Sequence, residues 1–385
     1  MISYGKHSID KEDIKAVNKV LKSNMLTQGP LITKFEEKLS SYFGSKFATV
    51  VSNGTAALHL CAVALEWKPN DVIITSSITF LSSATAAYFV GSSVSLVDID
   101  KVSYTICIKS LEDTIIKLRR AKKRVVAVIG VDYAGHPSDW KGLKALSKKY
   151  RFKLINDNCH SMGARYYNNI QYASKYADLV THSYHPVKNI TTGEGGAILT
   201  NNQSLDKKIK YLRSHNMKRD SLTKKKGPWE YYIDDFGFNY RLTDFQCALG
   251  ISQLKKLNKF IIRRQKIAKI YDDAFSNDDR FIIPLVKNKI VRHAYHLYPL
   301  QIKFENLQIT KKKFFEKMKS YGILLQVHYI PLHFHPFFKK NLINCYQNFP
   351  NAEKFYSREV SIPIFPTLKN IDQKKIISLI KSTLK

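Results

Sequence analysis

Long apolar runs are missing from this chain. None approaches the roughly 18 residues that a membrane-spanning helix needs, so no membrane partner is expected. The first residues, MISYGKHSIDKED, hold no apolar core of the kind an export signal carries, and the expected location is the cytoplasm. Cysteine is sparse and scattered: Cys61, Cys107, Cys159, Cys247 and Cys345 form no CxxC pair. That pattern reads as reduced thiols, not as a disulfide framework or a zinc site. Acidic residues are in short supply as well, with 31 Asp and Glu against 62 Lys and Arg and a formal net charge of +31.

Such a surplus invites a polyanionic partner. The lysines are nevertheless spread along the chain, and the densest runs, 224–226 and 311–313, are short. Abundant Lys, Ile and Asn together read as a compositional bias. The expected partner is a small phosphorylated substrate that profits from a positive field, and no nucleic acid. A basic nucleic-acid-binding protein is the non-enzymatic alternative. At 385 residues, 44% of them hydrophobic, the chain has room for two packed domains.

The most informative stretch is 181–196, THSYHPVKNITTGEGG. Pro186 and the glycines at 193, 195 and 196 leave little room for regular structure, so Lys188 is expected on a constrained loop. A surface charge is the ordinary reading of any lysine. A lysine that is partly desolvated, or set beside other positive charge, has a lowered pKa and becomes an amine nucleophile toward aldehydes.

Around it the chain alternates strands and helices. Residues 10–24 predict an amphipathic helix with Ile14, Val17, Val20 and Leu21 on one face. LTQGP at 26–30 is a turn, followed by a helix over 32–43. Residues 47–65 read strand, turn, helix, which sets Thr55, Ala56 and Ala57 at a helix N-terminus, a place for an anion. Strands are expected at 72–75 and 94–97 around a helix at 82–90, with Phe80 after the first strand read as a core aromatic. The run 125–131 is nearly continuous in apolar residues, as for a strand covered on both faces. A helix at 143–150 and a strand at 152–155 lead to Asp157. A carboxylate at the end of a buried parallel strand lies where α/β folds bind ligands, although a turn or capping Asp reads the same way. A strand at 197–200 and a helix at 205–214 follow, then a polar, Lys-rich segment at 220–229 that is expected to be mobile. A helix runs from Phe245 to about Phe275, with Thr243 as its N-cap. Strands are expected at 293–302 and from 324. His328, His333 and His335 lie at spacings that fit metal ligands poorly, so no metal is expected.

SYHPVKNITTGEGG resembles the coenzyme-lysine motif S-F-H-x-x-K-x-x-x-x-G-E-G-G of the DegT/DnrJ/EryC1/StrS family of pyridoxal phosphate (PLP)-dependent sugar aminotransferases. Ser183, His185, Lys188, Gly193, Glu194, Gly195 and Gly196 fall in register. Asp157-Asn158-Cys159-His160 is similar to the family's D-A-x-H, with Asn in place of Ala. LRSHNM at 212–217 and FNYRLTD at 238–244 are similar to further family segments, and the resemblance covers nearly the whole chain. It implies a fold-type-I, aspartate aminotransferase-like α/β fold. A large mixed-sheet domain over 1–250 would bind the coenzyme, and a smaller α+β domain would occupy 251–385.

The resemblance also implies roles. Lys188 would carry PLP and act in catalysis. Thr55, Ala56, Ser183 and, from across a dimer interface, Asn239 would hold its phosphate; a local turn is the other reading of Asn239. Phe80 would stack on the ring, Asp157 would hold the ring nitrogen, and His160 would lie near the phenolic oxygen or phosphate. Tyr4, Leu26, Thr27, Gln28, Gly29, His328 and Tyr329 would contact substrate. The implied reaction moves an amino group from a donor such as glutamate to C4 of a nucleotide-linked 4-keto-6-deoxy sugar. LTQGP and VHYIP resemble the UDP-sugar branch; a GDP- or dTDP-linked sugar is the alternative. Related sugar 3-dehydrases carry His in place of the lysine, and Lys188 argues against that activity. A homodimer with shared active sites is expected.

Overall fold

The computed structural model describes residues 1–219, 221–286, 290–344 and 347–384; Cys345 and Asp220 lie outside them. The strands are β1 (Phe47–Val51), β2 (Asp71–Ser76), β3 (Ser93–Val97), β4 (Arg124–Val131), β5 (Lys153–Asp157), β6 (Arg165–Tyr166), β7 (Leu179–Ser183) and β8 (Gly196–Thr200). Four more follow: β9 (Phe281–Ile282), β10 (Val291–Arg292), β11 (Tyr298–Ile302) and β12 (Glu359–Ile362). The helices are α1 (Lys11–Leu21), α2 (Pro30–Phe43), α3 (Gly54–Ala64), α4 (Ser82–Tyr88), α5 (Ile108–Arg120), α6 (Trp140–Tyr150) and α7 (Tyr172–Tyr176). They continue with α8 (Gln203–Leu212), α9 (Ser221–Lys226), α10 (Asp244–Phe275), α11 (Lys311–Ser320), α12 (Pro336–Asn341), α13 (Pro350–Arg358) and α14 (Asn370–Thr383).

Seven strands form one sheet in the order β1-β8-β7-β5-β4-β2-β3. Only β8 runs against its neighbours. Successive side chains of a strand point to opposite faces. Here both faces are apolar: Val72, Ile74, Val128 and Leu154 enter one core, while Ile73, Ile129 and Ile155 enter another. The first core is closed by α2, α6 and the start of α10, and the second by α3 and α4. The parallel strands end on one edge of the sheet, and that edge carries the site. A third core forms around β11, β12, α11 and α14.

Helix α10 spans 32 residues without a break and crosses the expected division at 250/251. Its first half buries Leu254, Leu257 and Ile261 in the first core, and its last turns bury Ile267, Tyr271 and Phe275 in the third. We propose that the domain division lies inside this helix, between Ile261 and Ile267. Arg264 sits there, fully buried, donating from Nη1 to the carbonyls of Tyr295, His296 and Ile364 at 3.0, 3.2 and 2.8 Å.

Several local expectations need correction. On α1, Ile14 and Leu21 are exposed; the helix docks instead through Val20 and Asp13, whose carboxylate takes bonds from Gln253 and Lys256 of α10. Helix α5 was not foreseen. Helix α9 lies within the Lys-rich segment at 220–229 and was not foreseen. The strand expected over 293–302 begins only at Tyr298, and the chain after Leu324 makes an isolated bridge, Gln326 to Ser361, in place of a strand.

Asn158, the departure from the D-A-x-H pattern, has a clear role. Asp132 lies at the end of β4, fully buried, and its Oδ2 accepts from Tyr172 Oη at 2.6 Å, Asn158 Nδ2 at 2.9 Å and Asn156 Nδ2 at 3.2 Å. Its Oδ1 accepts from the Ser138 amide at 2.7 Å and Trp140 Nε1 at 2.9 Å. Burial raises the carboxyl pKa to about 6 against these donors. Asn158 thus ties the loop after β5 to β4. Asp132→Asn would turn an amide N–H toward donors. It is expected to lower unfolding stability by about 3 kcal/mol at pH 7.5, measured by urea denaturation.

Candidate active site

A cavity of about 820 Å³ opens where β1, β2, β4, β5 and β7 end. Its walls hold the first turn of α3, the Phe80 turn, Asp157, His160, Ser183, Lys188, His296 and the segment 326–330.

The α3 wall follows from its cap. Asn53 Oδ1 accepts from the Ala56 amide at 2.8 Å, and the Asn53 carbonyl accepts from Ala57 at 3.1 Å. Ala56 lines the cavity, but its amide is already satisfied, which corrects its expected role as an anion donor. Among the described residues the Gly54 and Thr55 amides have no partner, and they carry the positive end of the helix dipole. A Cβ at Gly54 would stand 3.0 Å from Ser183 Cβ, so glycine keeps this cradle open. Gly196 allows a second close approach: a Cβ there would meet the Asn53 carbonyl oxygen at 2.5 Å.

Asp157 ends β5 and pairs with Thr181 of β7. Its Oδ2 accepts from Ser83 Oγ at 2.7 Å, and its Oδ1 from the Cys159 amide at 3.3 Å. Ser83 is itself 2.8 Å from Thr79 Oγ1. Lys188 follows β7 on the expected turn, its amide donating to the His185 carbonyl at 2.9 Å. Burial lowers the Lys188 pKa, and the Cys159 and Asp157 charges oppose that shift. Because burial also keeps the Cys159 thiol protonated, Asp157 is the effective counter-charge.

His160 is buried, and burial followed by the Lys188 and His328 charges holds its pKa well below 6.5. Its Nδ1 accepts from the Ala134 amide at 3.3 Å, so its proton sits on Nε2 and is donated to Tyr329 Oη at 3.0 Å. The Tyr329 hydroxyl proton is thereby left to donate into the cavity. Phe80 is 48% exposed and outside the core; its ring lies 5.9 Å from that of Tyr329. Tyr4 lines the same wall, 5.0 Å from His328 between ring centres.

Not every expected site residue meets this cavity. Leu26, Thr27, Gln28 and Gly29 do not line it. Asp244 at the head of α10 holds that segment instead, accepting from the Gly29 and Leu31 amides at 2.8 and 3.1 Å. In this way it caps α2, whose own N-cap is a glycine. Asn239 is exposed and bridges to Ser214, also outside its own chain's cavity. Ser83 and His296 were missed. His296 is buried on the cavity wall, its ring 4.3 Å from His160 and its Nδ1 without a partner among the described residues. No sequence signal marks Ser83; His296 stood only as one of two histidines before a strand.

The model of the DegT/DnrJ/EryC1/StrS aminotransferase family matches residues 7–381. The chain belongs to that family. A UDP-4-amino-4,6-dideoxy-N-acetyl-beta-L-altrosamine transaminase of Campylobacter jejuni is 37% identical, over 100% of this chain and 96% of that protein. The solved structure of Helicobacter pylori PseC, an aminotransferase involved in the biosynthesis of pseudoaminic acid, superposes with a TM-score of 0.89 at 31% identity, covering 100% and 99% of the two chains. A putative sugar aminotransferase of Streptococcus pneumoniae, solved in its PLP form, gives a TM-score of 0.88 at 25% identity, with 99% of each chain covered. This aminotransferase uses pyridoxal phosphate. The cavity fits that coenzyme: it holds uncommitted helix N-terminal amides for a phosphate, an amine for an aldehyde, and a carboxylate for a ring nitrogen.

Two outcomes follow. Ser83→Ala removes the donor that orients Asp157 and is expected to raise the coenzyme dissociation constant about ten-fold, read by absorbance titration. Only a neutral amine attacks an aldehyde. The rate of PLP capture by coenzyme-free protein should therefore rise with pH and level off below the 10.5 of an ordinary lysine, measured by stopped flow.

Proposed function

We propose that this enzyme moves an amino group from an amino-acid donor, such as glutamate, to C4 of a UDP-linked 4-keto-6-deoxy sugar. The observation that carries the reading is the shared cavity of Lys188 and Asp157: a partly buried amine with a lowered pKa beside a carboxylate, roofed by Tyr329 and His328. The names of the Campylobacter and Helicobacter relatives support the sugar class. The expected setting is the cytoplasm; among the described residues no helix is long and apolar enough to cross a membrane.

When bound, PLP supplies an aldehyde and an electron sink. Lys188 anchors it through Nζ. As a free amine, Lys188 Nζ would take the proton from the donor α-carbon and, in the second half, deliver a proton to sugar C4. Asp157 would accept a hydrogen bond from the protonated ring nitrogen, and Ser83 steadies that carboxylate. The Gly54 and Thr55 amides, Ser183 and the partner subunit's Asn239 hold the phosphate. Phe80 covers the ring, and Tyr4, His328 and Tyr329 receive the sugar nucleotide.

What the single chain leaves outside its own site supports a homodimer. Asn239 and Leu26 are exposed, and so are Trp229, Ile233 and Phe236 at 71, 61 and 64%. In this reading Leu26, Thr27, Gln28 and Gly29 complete the partner's substrate site as Asn239 completes its phosphate site.

Lys188→Ala and Asn239→Asp chains should each be inactive alone. Co-refolded in equal amounts, they should recover about a quarter of wild-type turnover, because half the dimers are mixed and each mixed dimer has one intact site. No recovery in demonstrably mixed dimers would remove the shared site. Turnover of UDP-, GDP- and dTDP-linked 4-ketosugars, followed by product analysis, tests the substrate; preference for a GDP or dTDP sugar would overturn the UDP assignment.

A further inference from the structure

Behind His328 lies a buried relay that the proposed mechanism does not use. The Glu359 and Ser361 side chains of β12 are completely buried. Glu359 Oε2 accepts from the His328 backbone amide at 3.0 Å, and Glu359 Oε1 accepts from Ser361 Oγ at 2.6 Å. Ser361 Oγ in turn stands 2.8 Å from His328 Nδ1. The β12 backbone fixes this placement, since Ser361 pairs with Gln326, two residues before His328.

Proton counting decides the direction of the chain. A carboxylate has no hydrogen to give, and a serine hydroxyl has one. Ser361 spends it on Glu359 and so has only a lone pair for His328 Nδ1. The hydrogen of the neutral imidazole must then lie on Nδ1, which leaves Nε2 as a bare acceptor. His328 lines the cavity, and among the described residues the one hydrogen bond of its ring is that of Nδ1 to Ser361. We propose that Glu359 and Ser361 are positioning residues for substrate recognition: they set the His328 tautomer so that Nε2 accepts a hydrogen bond from a hydroxyl or amide N–H of the sugar. This rests on the nucleotide-sugar reading above.

The surrounding charges agree. Burial lowers the His328 pKa to about 3, with the Lys188 charge adding to it, so the ring is neutral and has a tautomer to choose. Burial raises Glu359 to about 7, against the pull of Ser361, Lys311 and the His328 amide, so the carboxylate that the proton count requires is the main form above that pH. Lys311, whose Nζ also donates to the Tyr356 carbonyl at 2.5 Å, favours the carboxylate while it is charged; burial lowers its own pKa to about 8, with Glu359 opposing. Tyr133 donates to the His328 carbonyl and fixes the backbone from its other side.

Glu359→Gln gives a discriminating test. The His328 amide can face only the new side-chain oxygen, so the new NH2 faces Ser361. Ser361 must then turn its proton toward His328 Nδ1, and the imidazole proton moves to Nε2, which becomes a donor. Solid-state 15N NMR of histidine-labelled enzyme at pH 8.5, with His328 assigned by its loss in His328→Gln, should show the proton on Nδ1 in wild type and on Nε2 in Glu359→Gln. KM for the UDP-linked 4-keto-6-deoxy sugar should rise about ten-fold in Glu359→Gln and in Ser361→Ala, while kcat falls less than three-fold and PLP absorbance is retained. A wild-type proton on Nε2, or an unchanged KM in both variants, overturns the proposal. The wild-type NMR measurement decides the tautomer even where a variant does not fold. Wild-type turnover, measured separately, tests the substrate reading itself, so the two failures are distinct.

Discussion

The site depends on a register. Parallel pairing of β5 with β7 sets Asp157 beside Thr181, and antiparallel pairing of β7 with β8 sets Ser183 beside Gly196. Between those pairs the chain must leave the sheet, turn at Pro186 and return, and Lys188 rides on that excursion. A slip of one residue would send every side chain of β5 to the other face. Asp157 would then leave the cavity and Asn156, now bonded to Asp132, would replace it. The apolar residues on both faces of the sheet prevent the slip, because Leu154 and Ile155 each belong to a different core. Packing on two faces thus fixes a carboxylate at one edge.

Given that register, the competition at Lys188 is between desolvation and one nearby charge. Burying an ammonium costs several kcal/mol after relaxation, and a single carboxylate offsets only part of it in a site open to solvent. The direction of the Lys188 shift agrees with desolvation winning. The same balance repeats at His160, His296 and His328, each held below its ordinary pKa first by burial, with the neighbouring Lys188 charge adding to it. Neutral imidazoles have tautomers, and tautomers make directional contacts. Around Lys188 and Asp157 the cavity is therefore lined by oriented donors and acceptors.

Much of this was legible in the residues. Strand, turn and helix at 47–65 follow from an apolar run, Asn53-Gly54 and a second apolar run, and the α10 N-cap was visible in Thr243. Lys188 and Asp157 stand in motifs that share no local logic but do share a family. What stayed hidden was what distant residues do for one another. Ser83 reaches Asp157 across 74 residues, and Ser361 reaches His328 across 33; neither serine differs from any other in its own neighbourhood. The exposure of Ile14 and Leu21 was hidden for a related reason. Periodicity says that a face is apolar, not what covers it.

The surplus of positive charge and the desolvated cavity belong to one design at two length scales. A field of +31 acts over the surface and is screened beyond about 8–10 Å at physiological salt. It favours encounter with a phosphorylated substrate but distinguishes no sugar from another. Inside the cavity that field would be harmful to the chemistry, since a permanently protonated Lys188 attacks nothing. Burial resolves the conflict by penalising charge where water is excluded and leaving it untouched where water remains. Attraction is then set by how many lysines the surface carries, and discrimination by where a few buried protons sit.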